Sequence, residues 1–473
     1  MPTRLAAIAL ALLLSACALR AATSPTPTPE PSPTAVPSPS PSPSPSPTPT
    51  PTPTPQPTEP PPIVVRGQLA RVMVGGARVL NQPGAVTEAS VVGRLAAGEL
   101  VTVLDGPVQI GPIRWWQVQV AGLTGWMSDR TGWSVALLAF GEPAARDWNV
   151  WAATATSQLP PSVADIPARV YVPNERDYTI SVIDPATMSV IATLPAGVLP
   201  EHVGPDWDLS RFYVSNYFST ELTVIDPRTG TLLSPITAPL AYNLYFTPDG
   251  SKAVVMAEEY NRIDFYDRRT WQLLGQIPIP FAGIDHADFS AGGRYLLATT
   301  EYAGVLVKVD TVTMEIVGSL WVGGSPVDVK LSPDGLVFYV ANQFRHGVSI
   351  IDPVTMSEIG FLSTGRGAHG MAISRDTRWL YLTNRAAGTI SVIDFATRTI
   401  IATWWIGGSP DMLQVSPDGT QLWTANRRAN TVVVVDATDG QVLHVIQVGR
   451  QPHGLMYFPQ PGRFSLGHNG VYR

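Results

Sequence analysis

An aspartate that closes a short apolar run recurs about every 42 residues, and this spacing constrains the fold of the chain more than any other feature. The seven aspartates are Asp184, Asp226, Asp267, Asp310, Asp352, Asp394 and Asp436. Another apolar run ends ten residues before each of them, at Asn174, Asn216, Ala257, Thr300, Asn342, Asn384 and Asn426. Seven copies of one unit predict a set of similar modules that share a core with their neighbours.

The module itself has the pattern of four β-strands. In its cleanest copy, residues 325–365, four short apolar runs are separated by turn signals such as S-P-D-G. The first run alternates apolar residues at Val327, Val329 and Leu331, and a period of two indicates a strand. Four strands in about 42 residues form the unit of a β-propeller blade. We therefore predict an all-β fold with a seven-bladed β-propeller over residues 166–473.

The ends of the second strands resemble a known signature. They read Y-V-P-N at 171–174, Y-V-S-N at 213–216, Y-V-A-N at 339–342 and Y-L-T-N at 381–384. These runs resemble the Y-V-T-N repeat of a family of seven-bladed propellers in extracytoplasmic and surface-layer proteins, and the resemblance covers roughly residues 165–464. It implies the fold but leaves the function open, because that family includes binding proteins, scaffolds and relatives of enzymes. We expect the asparagines to be structural caps of the second strands.

The two ends of the repeat region predict how the ring closes. Residues 169–172 already match a second strand, and no first strand precedes them. Residues 452–458 match a first strand that no full blade follows. We expect this later segment to supply the innermost strand of blade one, because such a clasp leaves no unpaired strand edge at the junction.

The first part of the chain carries signals for export. An apolar run over residues 5–14 is followed by Leu-Ser-Ala and by the single cysteine, Cys17. This order resembles the bacterial lipobox, which implies a lipoprotein signal over residues 1–17 and lipidation of Cys17. The alternative is an ordinary secretory signal cleaved after Ala16. Residues 18–66 alternate proline with serine and threonine, which favours a disordered, extended tether.

Residues 67–137 do not follow the repeat and predict a separate small β-barrel. Short apolar runs alternate with glycine-rich turns, as in a barrel of five strands. The segment resembles bacterial SH3-like domains, which implies contact with the cell wall. Trp115, Trp116 and Trp126 are candidates for a wall-binding shelf, and the alternative is that they fill the barrel core. Residues 138–165 connect this domain to the propeller.

The most variable loops mark the candidate ligand-binding face. They follow the second and the fourth strands, which end on the same side of a propeller, called here the upper face. The candidate ligand-face charges are Arg345, Arg385, Arg427, Arg428, Glu258, Glu259 and Glu301. They separate into a basic sector on blades five to seven and an acidic sector on blades three and four. The alternatives are a solvated surface and a site for an anionic small molecule, glycan or peptide.

Histidines mark the entry to the central channel. Four of the seven in the chain stand near the start of an innermost strand: His202, His286, His369 and His453. Asp411 holds the corresponding place in blade seven, so His369, Asp411 and His453 come from successive blades and offer a ligand set for a divalent metal ion. Asp285 with His286 is a second candidate. The alternatives are turn capping and an organic ligand, and no cofactor is required by the sequence.

Composition restricts the class of partner more than the activity. The net charge of -6, with 14% charged residues, provides no basic patch for nucleic acid. We expect a monomeric, lipid-anchored protein of the bacterial cell envelope that binds a ligand, peptidoglycan or another envelope protein. The alternatives are a propeller enzyme, either lactonase-like or a metal-dependent hydrolase or oxidoreductase, and a structural component of a surface layer. No nucleophile elbow or phosphate-binding loop is visible in the sequence, which weighs against the enzyme.

Overall fold

A computed structural model describes residues 64, 69–72, 76–85, 87–96, 99–110, 113–120, 123–131, 134–135, 137–139, 149–156, 158–353 and 355–473, all within one compact unit, Pro60–Arg473. The predicted signal peptide with Cys17, the tether apart from Val64 and part of the connector lie outside these residues. In the described ranges the only helices are two short 3-10 turns, Glu88–Ser90 and Glu258–Tyr260. None of the helices described is long and apolar enough to cross a membrane.

The small domain that comes first in the sequence is built on one seven-stranded sheet. Its strands are β1 (Leu69–Val72), β2 (Ala77–Leu80), β3 (Val91–Leu95), β4 (Leu100–Ile110), β5 (Ile113–Val120), β6 (Leu123–Ser128) and β9 (Leu137–Ala139). Their order is β3-β2-β6-β5-β4-β1-β9, and β7 (Arg130–Thr131) and β8 (Ser134–Val135) pair separately. Alternate residues of β4 and β5, such as Val101, Val103, Trp116 and Val118, fill the core.

Seven antiparallel sheets of four strands follow, and the predicted all-β propeller fold is confirmed. From the innermost strand outward, blade two contains β13 (Pro200–Pro205), β14 (Phe212–Asn216), β15 (Glu221–Ile225) and β16 (Leu232–Thr237). Blade three contains β17 (Asn243–Phe246), β18 (Lys252–Ala257), β19 (Arg262–Asp267) and β20 (Leu273–Pro278). Blade four contains β21 (Ile284–Phe289), β22 (Tyr295–Thr300), β23 (Val305–Asp310) and β24 (Glu315–Trp321).

The remaining full blades repeat this order. Blade five contains β25 (Pro326–Leu331), β26 (Phe338–Asn342), β27 (Gly347–Asp352) and β28 (Ser357–Ser363). Blade six contains β29 (Ala368–Ile373), β30 (Trp379–Asn384), β31 (Thr389–Asp394) and β32 (Thr399–Trp405). Blade seven contains β33 (Pro410–Val415), β34 (Gln421–Asn426), β35 (Thr431–Asp436) and β36 (Val442–Gln447). Innermost strands are almost wholly buried, whereas outermost strands are largely exposed, as expected when blades pack around a channel.

Blade one closes the ring with strands from two distant parts of the chain. It contains β10 (Arg169–Asn174), β11 (Thr179–Asp184), β12 (Ser189–Pro195) and β37 (Met456–Phe458). β37 pairs antiparallel with β10, with Met456 opposite Tyr171 and Phe458 opposite Arg169. The predicted clasp is therefore present, and it supplies the innermost strand of the blade as expected.

The repeated asparagines join the two upper loops of a blade. The side chain oxygen of Asn342 accepts hydrogen bonds from the backbone N–H of Ser325 at 3.0 Å and of Arg345 at 3.1 Å. Its side chain nitrogen donates to the carbonyl of Gly323 at 2.8 Å. These bonds fix the loop before the innermost strand against the loop after the second strand, where the candidate site lies.

Residues 459–473, called here the plug segment, pack against the innermost strands inside the channel, from the lower ends of the strands at Phe289 up to the level of His202, and nothing in the repeat predicts them. Backbone bonds of 2.9 Å from Phe246 to Leu466 and of 3.0 Å from His468 to Leu244 attach the segment to β17. Gly467 makes this approach possible, because a Cβ there would lie 2.5 Å from the carbonyl oxygen of Leu244.

The connector also contributes to the lower end of the channel. Trp151 is buried and donates its indole N–H to the carbonyl of Leu331 at 3.0 Å. The guanidinium of Arg473, from the plug segment, lies 4.9 Å from the centre of the Trp151 rings. The connector and the plug segment therefore pack together at this end of the channel.

Candidate functional site at the upper mouth of the channel

Two successive positions of the innermost strands supply the polar groups at the mouth of the channel. In the seven blades the first position holds Glu201, Tyr242, Asp285, Val327, His369, Asp411 and His453. The second holds His202, Asn243, His286, Asp328, Gly370, Met412 and Gly454. In β13, β21, β25, β29 and β33 the strand pairing shifts by one residue across these two positions. Such β-bulges redirect neighbouring side chains, so histidines offset by one residue reach the same cluster.

The three residues predicted as a ligand set do come together. One ligand atom each from His369, Asp411 and His453 lies within 4.8 Å of the other two. Nδ1 of His369 lies 3.0 Å from Oδ1 of Asp411, and Nε2 of His453 lies 3.7 Å from the same oxygen. The guanidinium nitrogens of Arg385 and Arg427 lie 3.0 Å and 3.6 Å from Oδ2 of Asp411. This cluster is therefore a network of ion pairs around one buried carboxylate.

His453 carries the opposite charge in this network. Its Nδ1 contacts Oε2 of Glu201 and lies 3.2 Å from Oε1 of Glu175. Burial lowers the pKa of His453, but the carboxylates of Asp411 and Glu201 outweigh it and raise that pKa to about 9. An imidazolium has no free lone pair and cannot ligate a metal ion. The guanidiniums of Arg385 and Arg427 add further positive charge beside Asp411. The electrostatics therefore weigh against metal binding by His369, Asp411 and His453 together.

A second group of buried histidines lies beside this network. Ring nitrogens of His202, His286 and His468 approach within 4.8 Å of one another, and the three ring centres are 5.0 Å apart in every pair. Burial lowers the pKa of all three imidazoles below the usual value, to about 4 for His286. These histidines are therefore neutral at pH 7. We call His202, His286 and His468 the histidine triad.

The acidic sector contains carboxyl groups that have no matching cation. Glu258 is 3% exposed, and its burial, together with the charge of Asp285, raises its pKa to about 8. Burial and the charge of Glu301 raise the pKa of Asp285 well above its usual range. Glu259 is exposed and accepts a hydrogen bond of 2.7 Å from the hydroxyl of Tyr217. This part of the mouth holds its buried acids largely in the neutral form.

The predicted basic residues fall into three environments. Arg385 and Arg427 point inward to Asp411, whereas Arg428 is exposed in the loop after β34. Arg345 forms an ion pair of 2.8 Å with Glu358 on its own blade. This ion pair joins the loop after β26 to the outermost strand of the blade, and the role of Arg345 at the ligand face stays a prediction.

The tryptophans predicted as a wall-binding shelf are mostly in the core of the small domain. Trp115 and Trp116 are 5% and 1% exposed, and Trp126 is half-buried. Strands β5 and β6 place Trp116 among Val103, Val118 and Met127. A shelf of three exposed rings is therefore not formed, because Trp115 and Trp116 are buried within the small domain.

Exposed aromatic side chains are instead concentrated on the upper face of the propeller. Among the described side chains, every exposed Phe, Tyr or Trp lies there, between 45% and 76% exposed: Tyr178, Phe218, Tyr260, Tyr302, Trp321, Phe344 and Trp405. Five occupy the loops after second strands, and Trp321 and Trp405 end the outermost strands of blades four and six. Exposed apolar patches of this kind mark interaction surfaces.

Sequence reasoning missed these aromatics and three charged or titratable groups. The repeat spacing of 42 residues could have found two of these groups. Glu201 stands at the same repeat position as His369 and His453, and Glu175 stands at the same repeat position as Arg385 and Arg427. No repeat signal exists for His468, because the plug segment has no counterpart in the blades.

Comparison with known proteins gives a family and a fold. A model described as a YNCE-like beta-propeller matches residues 149–461. No curated protein matches the chain. A functionally unknown protein from Desulfotomaculum acetoxidans is 17% identical with a TM-score of 0.55, covering 62% of this chain and 99% of its own. Hydrazine synthase from Kuenenia stuttgartiensis is 19% identical with a TM-score of 0.52, covering 58% and 97%. Such identities show a shared fold alone.

Proposed function

The chain belongs to the YNCE-like β-propeller family, and we propose that it is a binding protein whose upper face docks a glycan polymer of the bacterial cell envelope. The observation that carries this proposal is the restriction of exposed aromatic side chains to that face. Aromatic rings stack on the apolar faces of sugars and provide large, rigid contact areas at low cost in conformational entropy. The seven positions lie on six different blades or blade ends, so an extended ligand fits better than a small one.

Carboxylates next to the aromatics support a carbohydrate ligand. Glu259 precedes Tyr260, and Glu301 precedes Tyr302, in the upper loops of blades three and four. Ionised carboxylates accept hydrogen bonds from hydroxyl groups, which sugars present around every ring. Stacking surfaces beside hydrogen-bond acceptors therefore match both the faces and the edges of a glycan.

Binding of isolated cell-wall glycan to the purified full chain tests the proposal. Replacing Tyr302, Trp321 and Phe344 together by alanine should weaken binding at least about tenfold, since truncating central aromatics of an interface costs more than about 1.4 kcal/mol. The matched control is Ile401→Ala, an exposed apolar residue on the outermost strand of blade six, which should bind like the parent.

Two outcomes contradict the proposal. If the parent chain binds no wall glycan, the proposed ligand is wrong. This holds even if a purified envelope protein binds to the same face. Equal binding by the parent and the triple variant rejects the aromatic surface as the site. Thermal unfolding of both proteins separates loss of binding from loss of the fold.

We also propose that the protein is exported and lipid-anchored, with an SH3-like domain between the anchor and the propeller. Support comes from the lipobox-like sequence before Cys17, which lies outside the described residues. Cys17→Ser should move the protein from the membrane fraction to the soluble fraction after cell lysis. A variant that still sediments with membranes contradicts anchoring at Cys17.

A further inference from the structure

The histidine triad unites three separate parts of the chain in one buried place. His202 begins blade two, His286 begins blade four, and His468 belongs to the plug segment. All three side chains are buried. Neutral imidazoles are good ligands for first-row transition metals, and three of them form a common ligand set for Zn²⁺. Zn–N bonds of about 2.0–2.1 Å require nitrogens roughly 3.3 Å apart, which small side chain rotations provide from the observed separation within 4.8 Å.

Two rings of the triad contact asparagine amides through Nδ1. Nδ1 of His202 lies 3.2 Å from Oδ1 of Asn469. Nδ1 of His468 lies 2.9 Å from Nδ2 and 3.1 Å from Oδ1 of Asn243, and its Nε2 lies 3.7 Å from Oδ1 of Asp328. When an oxygen accepts the Nδ1 proton, the lone pair is on Nε2, and this is the usual arrangement around histidines that ligate metals.

Three other ring nitrogens of the triad, Nε2 of His202 and both nitrogens of His286, are buried with no hydrogen-bond partner within the described chain. Nδ1 of His286 lies 3.3 Å from Oδ2 of Asp285 without forming a hydrogen bond to it. Leaving a buried polar atom unpaired is unfavourable, and a bound cation that accepts the Nε2 lone pairs removes that penalty.

The surrounding charges also favour a cation. The carboxyl group of Asp285 is buried 3.3 Å from Nδ1 of His286, where a carboxylate and a bound cation stabilise each other. Lys330 is the opposing charge, but its ammonium group pairs with Oδ1 of Asp328 at 2.7 Å. The imidazolium of His453 is likewise compensated by its carboxylate neighbours.

We propose that His202, His286 and His468 bind a single Zn²⁺ ion, which fastens the plug segment to blades two and four. His468 is the only triad member outside the blades, and its backbone N–H already bonds to Leu244 at 3.0 Å. A metal ion bound by His202, His286 and His468 links the plug segment to blades two and four on either side of this hydrogen bond. The site is distinct from the ion pairs around Asp411 and does not depend on glycan binding.

Zinc content and zinc affinity of the full chain test the proposal, with a purification tag that lacks histidine. After treatment with EDTA and dialysis against Zn²⁺, the parent should retain one ion per chain. His468→Ala should lower the affinity at least about 100-fold, because removing a ligand costs more than the tenfold to 100-fold typical of its supporting residues. His444→Ala, an exposed histidine on outermost strand β36, is the matched control and should bind like the parent.

A second measurement keeps the test valid if His468→Ala unfolds. Co²⁺ bound to the parent should give the intense visible absorption of tetrahedral nitrogen coordination, and Zn²⁺ should raise the parent's melting temperature while EDTA lowers it. A parent that retains no Zn²⁺ overturns the proposal. A folded His468→Ala variant that binds Zn²⁺ with full affinity also overturns it. So does loss of Zn²⁺ from a folded Asp411→Asn variant while His468→Ala retains the ion, because this result assigns the ion to the cluster around Asp411.

Discussion

The two sectors of the channel mouth accommodate buried charge in opposite ways. In the basic sector, the carboxylate of Asp411 is fully buried but faces the guanidiniums of Arg385 and Arg427 and the imidazole of His369. Burial alone raises the pKa of Asp411, yet the guanidinium of Arg385 and the imidazoles of His369 and His453 hold it well below its usual range. In the acidic sector, Glu258 faces other acids, and its pKa rises to about 8. The two sectors therefore keep one buried carboxyl group ionised and another protonated.

This difference separates groups that stabilise the ring from groups that are available for a ligand. An ion pair inside a protein compensates the desolvation of both partners, and removing one partner leaves the other charge buried and unpaired. A protonated carboxyl group does not compensate the charge of a buried partner. Replacing it by a neutral amide therefore costs little stability. Removing a carboxylate should therefore destabilise the propeller in the basic sector and leave it unchanged or more stable in the acidic sector.

Asp411→Asn should have the largest effect on stability. The substitution keeps the side chain shape but removes the negative charge that Arg385, Arg427 and the imidazolium of His453 share. Breaking a buried pair in this way typically costs about 3–5 kcal/mol, and we expect a loss of that order in the free energy of unfolding, measured with urea at pH 7. Asp439→Asn, in an exposed turn of blade seven, is the control for the chemical change. An Asp411→Asn variant as stable as the parent would show that Glu175 and Glu201 alone satisfy the cations.

The sequence predicted the architecture because the repeat is periodic. Asp352 and Asn342 recur in register in almost every blade, and the missing first strand of blade one had to come from residues 452–458. The proximity of His369, Asp411 and His453 could also be predicted, since all three stand at one repeat position. These are properties that a spacing of about 42 residues carries by itself.

The rest depended on contacts that no spacing encodes. His468 reaches the triad only because the plug segment folds back onto β17, and Gly467 permits this by leaving room for the carbonyl of Leu244. The protonation of His453 depends on the charges that surround it rather than on its own position. Trp116 and Trp321 are both tryptophans within β-strands, yet one fills a core and the other is 74% exposed. Burial of this kind follows from the packing of whole domains.

The environment of Glu258 defines the smaller effect expected in the acidic sector. Its carboxyl group faces the acids Asp285 and Glu301, and the hydroxyls of Tyr217 and Tyr302 hydrogen-bond to it. Burial is the main cause of its raised pKa, followed by the charge of Asp285. The tyrosine hydroxyls act in the opposite direction, so the carboxylate is partly solvated by protein when it does ionise.

Glu258→Gln should therefore change the pH dependence of stability more than stability itself. Below pH 4.5, Glu258 is protonated in the folded and the unfolded chain and contributes nothing to their difference. Between pH 4.5 and about pH 8 the unfolded chain loses the proton while the folded chain keeps it, so the parent becomes less stable as pH rises. Glutamine has no proton to lose, and the variant should gain on the order of 2 kcal/mol relative to the parent between pH 5 and pH 8. Urea unfolding across this range measures the slope, with Glu259→Gln, on the exposed neighbour, expected to follow the parent. Identical slopes for the parent and Glu258→Gln would mean that the acidic sector already holds a compensating cation, and the contrast with the basic sector would disappear.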